Sequence, residues 1–168
     1  MKGFAKNGER RFEAIFDNAA VGIFLIDGKG CFFEVNKAFC NMLGFSERQL
    51  LEMTCDDISH PDDKRLHVEF FHDLACGITD KYTLEKRFID ARGEIIWVRV
   101  TFSAIRDNDE EFLYSIAVVE NITAQKVIEE ELNVALSVMM KDWDSEAESR
   151  RNERENLRQS ISDLSQGF

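Results

Sequence analysis

The chain has 168 residues, 32 acidic side chains against 21 basic ones, and a formal net charge of −11. That length holds one domain with a full core plus a simple extension, and the acidic balance removes the attraction that drives binding to nucleic acid or an anionic membrane surface. No apolar run approaches the roughly 20 residues of a bilayer span, and the start MKGFAKNGERRF lacks the apolar stretch of a signal peptide, so the segment reads as cytoplasmic.

Residues 1–9 read as a tail. ERRFEAIFDNAA then sets Phe12, Ile15 and Phe16 on one helical face, a short amphipathic helix whose apolar edge must pack on something. VGIFLI and CFFEV flank the turn DGKG, which predicts a strand pair over Val21 to Val35. Asn36 stands as the cap of a helix carrying Ala38, Phe39, Met42 and Leu43, with Gly44 to stop it. In the next helix Ser46 and Gln49 have capping-box spacing. Pro61 suits a first helical turn, where Asp62 and Asp63 complement the positive end of the helix. From Tyr82 the period changes to two. YTLEKRFID, the turn DARG and EIIWVRVTFSAIRD form a long hairpin with Ile96, Val98, Val100, Phe102 and Ala104 on one face. DNDEE turns the chain into a last strand, FLYSIAVVENI. After Thr123 the period is helical throughout, and Ile128, Leu132, Ala135 and Met139 follow the alternating steps of four and three of a two-stranded coiled coil.

The four cysteines, Cys31, Cys40, Cys55 and Cys76, form no CxxC pair, and all but Cys55 lie in apolar local sequence. They read as small buried hydrophobes in a reducing compartment, not as a zinc knuckle or disulfide framework. The three histidines fall in one stretch, DISHPDDKRLHVEFFHDLACG. Helix arithmetic separates them: His60 and His67 stand about two turns apart and His67 and His72 diverge by about 140°, so no metal can be shared. On the same wheel Leu66, Phe70, Phe71 and Leu74 mark the buried face, His67 lies within it, His72 points away, and His60 serves the start of the helix.

The order β-β-α-α-α-β-β-β followed by a connector helix resembles the PAS domain family. The matching stretches are NAAVGIFLIDGKGCFFEVNKAFCNMLGFSERQLLEM, ISHPDD, YTLEKRFIDARGEIIWVRV and AVVENIT, which together cover about Phe12 to Thr123. The resemblance implies an α+β fold: a five-stranded antiparallel sheet with short helices on one face, over residues 10–123, followed by a signalling helix over 124–168. It further implies a small pocket, dimerisation and relay of a signal into the C-terminal helix. The family's closing triplet is usually Asp-Ile-Thr; here Asn121, Ile122 and Thr123 stand there, preceded by Glu120. Asn121 can hydrogen-bond but cannot make an aspartate's salt bridge, and Glu120 is the candidate substitute charge in a relay of Glu120, Asn121 and Thr123.

Candidate pocket-wall residues are Phe24, Phe39, Leu43, Ile58, His67, Phe71, Leu84, Val98, Val100, Phe102, Ile116 and Val118, each of which a solid core would need equally. Three readings stay open. The first is a sensory and dimerisation module of a signal-transduction or transcription-regulatory protein, binding a small apolar ligand. The second is a protein-interaction module with a filled core, assembled as a homodimer through the coil and the outer sheet face. The third is a heme-based sensor with His67 as axial ligand, since heme-binding PAS domains draw their ligand from this helix. The resemblance argues against flavin: the photoreceptor branch sets its cysteine in Asn-Cys-Arg-Phe-Leu-Gln, and MTCDDIS around Cys55 has none of those neighbours. Trp97 falls on the outer face of the sheet, where it suits a dimer contact with the opening helix. No GxSxG elbow, phosphate loop, HExxH or paired-carboxylate motif appears, so the segment reads as non-enzymatic and its output as part of a longer receptor.

Overall fold

The computed structural model describes residues 2–166, with side chains placed for 8, 10–65 and 67–162. The chain divides into two units, residues 1–124 and 125–168.

In the first unit, helix α1 (Lys2–Asn18) leads into strands β1 (Gly22–Ile26) and β2 (Phe32–Val35). The region expected to be a tail is thus helical from Lys2 onward. Phe12 stacks on Phe16 at 5.3 Å, and Phe16 is buried while Ile15 stays exposed, so only part of the apolar edge packs. The β1–β2 turn closes on Asp27, whose Oδ1 accepts from Lys29 N and Cys31 N, and Gly30 supplies the positive φ of 81° that a side chain would resist.

Asn36 is fully buried and uses its whole hydrogen-bonding capacity. Its Oδ1 accepts from Phe39 N and Ile23 N at 2.9 Å each, and its Nδ2 donates to Phe16 O at 2.9 Å and Val21 O at 3.0 Å. One side chain therefore caps α2 (Lys37–Leu43) and ties it to α1 and β1. Gly44, at φ 73°, ends α2 as expected. The capping box of α3 (Glu47–Leu50) forms as predicted, with Gln49 N donating to Ser46 Oγ and Ser46 N donating to Gln49 Oε1.

A single 3₁₀ turn, Pro61–Asp63, opens α4 (Lys64–Ala75), and the His60 ring accepts from Asp62 N. Asp63 does not cap that helix with its side chain. Its carboxylate receives Arg87 N at 2.8 Å, Nε at 3.0 Å and Nη2 at 2.6 Å, and these bonds hold it below the usual carboxylate range.

Strands β3 (Lys81–Ile89), β4 (Ile95–Arg106) and β5 (Phe112–Asn121) complete an antiparallel sheet of order β2-β1-β5-β4-β3. Helices α2, α3 and α4 cover its inner face, where Phe24, Phe39, Leu43, Ile58, Phe88, Val98, Val100 and Phe102 are wholly buried in one cluster. Helix α5 (Thr123–Gln166) continues into the second unit, and every described side chain from 127 to 162 on it is exposed.

Three expectations of burial are corrected. On β5 the inner positions are Ser115, Ala117 and Val119, because Val100 pairs with Val119 and Phe102 with Ala117; Ile116 is half-buried on the outer face and Val118, 36% exposed, lies beside it. The run IAVV is apolar on both parities, so the sequence concealed which one faced inward. On α4 the buried side chains are His67 and Leu74, with Phe71 half-buried; Phe70 is exposed and stacks on Tyr82 at 5.4 Å, and the Leu66 side chain lies outside the described residues. Among the cysteines Cys55, the one in polar local sequence, is the buried member, while Cys76 is exposed next to His72.

Candidate functional site

Strand parity builds the site. Along β3 the inward side chains are Tyr82, Leu84, Lys86 and Phe88, so a lysine stands in the core between a leucine and a phenylalanine. Lys86 is 1% exposed. Its Nζ lies 3.9 Å from the Cys55 Sγ and 5.0 Å from the centre of the Phe88 ring, and among the described residues no carboxylate pairs with it. Beside it His67, 4% exposed, projects from α4, and its Nδ1 is 3.2 Å from the Tyr82 Oη.

The electrostatics of the group follow from burial. Desolvation, aided by the Lys86 charge, pushes the His67 imidazole down to about 3, so it is neutral at physiological pH. Burial, with a smaller contribution from Cys55, pushes the Tyr82 phenol far up, and it keeps its proton. Burial likewise raises the Cys55 thiol, and the nearby Lys86 partly opposes that shift. Cys55 is therefore an inert thiol rather than a nucleophile. A neutral imidazole carries one proton. The Tyr82 hydroxyl and the His67 Nδ1 share one hydrogen bond, in which the hydroxyl donates when the imidazole proton is on Nε2 and accepts when it is on Nδ1.

His67 and Cys55 form the floor of a recess of about 290 Å³. Gly28–Gly30 and Thr54–Asp56 bound it on one side, and Val68, Phe71, His72 and Ala75 of α4 on the other. Its size lies near the lower limit, about 300 Å³, of small-molecule sites. It does not fit a heme macrocycle, which needs a broad apolar slot in front of the ligating nitrogen. Here the side facing His67 is a narrow cleft with Lys29, Thr54 and Asp56 on its wall, and the ring itself is fixed between Phe71 at 5.7 Å and Phe102 at 5.0 Å.

Of the wall residues expected from the sequence, Phe24, Phe39, Leu43, Ile58, Leu84, Val98, Val100 and Phe102 come together behind this floor. His67 and Phe71 line the recess, whereas Ile116 and Val118 stand on the opposite face of the sheet. The sequence reading omitted Tyr82, Lys86 and Cys55. Parity along YTLEKRF, which places residues 82 and 86 with Leu84, was the signal for the first two; the position of Cys55 depends on a loop and had none.

On the outer face β3, β4 and β5 carry a row of charges in register. Arg99 reaches Glu85 at 2.8 Å and Glu120 at 3.2 Å, so Glu120 does carry an ion pair next to the closing triplet. Asn121 Oδ1 accepts from Thr123 N at 3.0 Å. The Thr123 hydroxyl accepts from Trp97 N at 3.0 Å, and Trp97 O accepts from Ile122 N at 2.9 Å. The start of α5 is thereby fixed to β4. The Trp97 ring itself lies under the Arg87 guanidinium, 5.6 Å away.

No described helix is long and apolar enough to cross a membrane, and the described residues hold no group of three or more metal-ligating side chains. The chain is 30% identical over 122 residues to the probable diguanylate cyclase DgcE of Escherichia coli (strain K12), covering 73% of this chain and 11% of that protein. It is 24% identical over 125 residues to the sensor histidine kinase TmoS of Ectopseudomonas mendocina, covering 74% and 13%. The chain therefore spans about a tenth of the length of these relatives. The crystal structure of a PAS domain from Colwellia psychrerythraea superposes with a TM-score of 0.63 at 20% identity, covering 69% of this chain and 98% of that one. A PAS domain from a two-component sensor histidine kinase superposes at 0.59 with 25% identity, covering 70% and 98%. The PAS domain profile matches residues 20–124, the span that holds the five strands, the buried His67 group and the Trp97–Thr123 junction, and the chain belongs to the PAS domain family as a sensory domain homologous to those of cyclase and histidine kinase signalling proteins.

Proposed function

We propose that this segment is the ligand-binding and dimerising sensor of a longer signalling protein, and that its state passes into α5 through Trp97, Glu120, Asn121 and Thr123. The junction at β4 carries the reading. Trp97 hydrogen-bonds both Ile122 and Thr123, while its neighbours Val98 and Val100 belong to the core behind the recess. A shift of β4 against α4 therefore moves the first turn of the helix. A ligand acts here only through its differential affinity for two such arrangements.

The homodimer of this proposal pairs Ile128, Leu132, Ala135 and Met139 of two copies of α5 in a coiled coil, with the outer sheet face as a second contact. All four side chains are exposed, at the spacing of a coiled-coil seam. The catalytic or transcriptional output belongs to other parts of the protein, which the small share of the relatives matched by this chain supports. Sedimentation at increasing concentration tests the dimer: the wild type converts to a dimer, and the triple variant Ile128→Glu, Leu132→Glu, Met139→Glu stays monomeric. Dimerisation unchanged by those substitutions refutes the coil.

The second reading, an interaction module with no ligand, is favoured by the interior itself. Phe24 lies 4.8 Å from Phe39 and 5.8 Å from Phe102, and Tyr82 lies 4.9 Å from Phe102, so rings fill the space behind the floor. The two readings separate in a melting experiment. A sensor gains Tm with ligand concentration, whereas an interaction module gains it only with protein concentration.

A further inference from the structure

We propose that Cys55 and Lys86 form a reversible cross-link under oxidation: hydrogen peroxide entering the recess oxidises the Cys55 thiol, and the Lys86 Nζ captures the oxidised sulfur in an S–N bond. The link needs no bound ligand, so it stands apart from the ligand-binding reading above.

Burial and proximity single out this pair. Cys55 and Lys86 are each 1% exposed, and the Nζ lies 3.9 Å from the Sγ. Among the described residues no carboxylate pairs with Lys86, and its other neighbour is the Phe88 ring at 5.0 Å. A thiol and a ring face are weak partners for a buried amine, whose lost hydration they do not restore. A neutral S–N link removes that uncompensated charge. Cys55 lies on the wall of the recess of about 290 Å³, so the sulfur is the member of the pair that a small uncharged oxidant meets first. Burial raises the thiol and keeps it protonated at rest, so the first step is slow and answers to sustained oxidant rather than to a brief pulse.

The chemistry closes in two steps. The Cys55 thiol and hydrogen peroxide give a sulfenic acid and one water, the sulfur losing the two electrons that the O–O bond accepts. Lys86, having released its ammonium proton to water, then attacks the sulfur as an amine. The S–N bond forms, the S–O bond breaks, and the hydroxyl leaves with a proton of the amine as a second water. The unbranched, flexible stem of the lysine covers the remaining distance. Cys55 N donates to Gly30 O at 2.9 Å, and Lys86 pairs with Val98 beside Trp97. The link therefore ties the loop held to the β1–β2 turn to the strand next to the one that holds the start of α5.

The test treats the full chain with excess hydrogen peroxide, folded and in urea, and maps tryptic peptides by mass. In the folded chain, cleavage after Lys86 is expected to stop, and one peptide pair joined at Cys55 and Lys86 is expected, about 2 Da lighter than the sum of its parts and separated again by dithiothreitol. The yield in urea is expected to be at least tenfold lower, because nothing then holds the amine beside the sulfur. In Lys86→Arg the same dose is expected to carry Cys55 on to the sulfinic acid. The comparison of folded with unfolded wild type needs no variant, so it decides the matter even if Lys86→Arg fails to fold. Cys55 recovered from the folded wild type as a sulfinic acid or a disulfide, with Lys86 free, overturns the capture step. Cys55 left untouched while the exposed Cys76 is oxidised overturns the entry of peroxide through the recess. Equal yields of the link in folded and unfolded chain overturn the role of the geometry.

Discussion

Residues 1–124 and the helix that continues from 125 are built from similar side chains and obey opposite physics. In the first unit Phe24, Phe39, Phe88 and Phe102 are fully buried and the polar groups among them are placed one by one. In the second, Val127, Ile128, Leu132, Val134, Leu136 and Met139 are all more than half exposed or nearly so. A helix with such a surface draws little stability from its own apolar residues until another apolar surface covers them. Apolar content therefore says little about stability until it is known what each side chain faces.

The largest effect that tests this contrast is expected in the core. Phe102→Ala removes a ring packed against Phe24, His67 and Tyr82, and should cost about 3–5 kcal/mol in chemical denaturation. A loss below about 1 kcal/mol would show that the interior is loosely filled.

Acid comes next. His67 is held neutral in the fold, down to about 3, against 6.5 for a free imidazole. The unfolded chain therefore binds the extra proton first as pH falls. This contribution is complete above pH 6.5 and is lost progressively between 6.5 and about 3. By about pH 4 the loss is on the order of 3 kcal/mol. The carboxylates Asp57 and Asp63, whose pKa values are lowered from 3.8, lose their contribution only below that value, so the two effects separate on the pH axis. His67→Phe should flatten the stability profile between pH 6.5 and 4, and an unchanged slope would show that His67 is hydrated.

Asn36→Ala should cost about 2–3 kcal/mol, because it removes the cap of α2 and leaves Ile23 N and the carbonyls of Phe16 and Val21 without their buried partner. Asn36→Asp would keep the cap but lose both donated bonds, and should fall between the wild type and Asn36→Ala.

The smallest effect belongs to the helix. At concentrations where the chain is monomeric, Leu132→Ala should change unfolding of residues 1–124 by less than about 0.5 kcal/mol. At concentrations where copies associate, the same substitution should lower Tm. Equal effects in the two regimes would break the contrast between a self-sufficient unit and a helix that depends on a partner.

Much of this was legible in the residues. Asn36, Gly44, Ser46, Gln49 and Pro61 mark element ends through local chemistry that acts over three or four positions, and the structure places them so. The alternation of β4 set Val98, Val100 and Phe102 inward because the odd positions that follow them, Arg99, Thr101 and Ser103, are polar. β5 was misread where that contrast vanishes, since Ile116, Ala117, Val118 and Val119 are apolar on both faces and only pairing with β4 chooses between them. Phe70 was misplaced on α4 because a helical wheel gives an arc, while the partner strand decides which part of the arc is covered.

Element order, helix caps, family and the separation of the three histidines were all readable from the residues, because each depends on neighbours close along the chain. The burial of Lys86 with no carboxylate partner among the described residues, the contact of Tyr82 with His67, and the position of Cys55 beside Lys86 and on the wall of the recess emerge only in three dimensions. These contacts join residues 15 and 31 positions apart. Burial and proximity at that separation come from sheet register and loop path, and no local pattern encodes them.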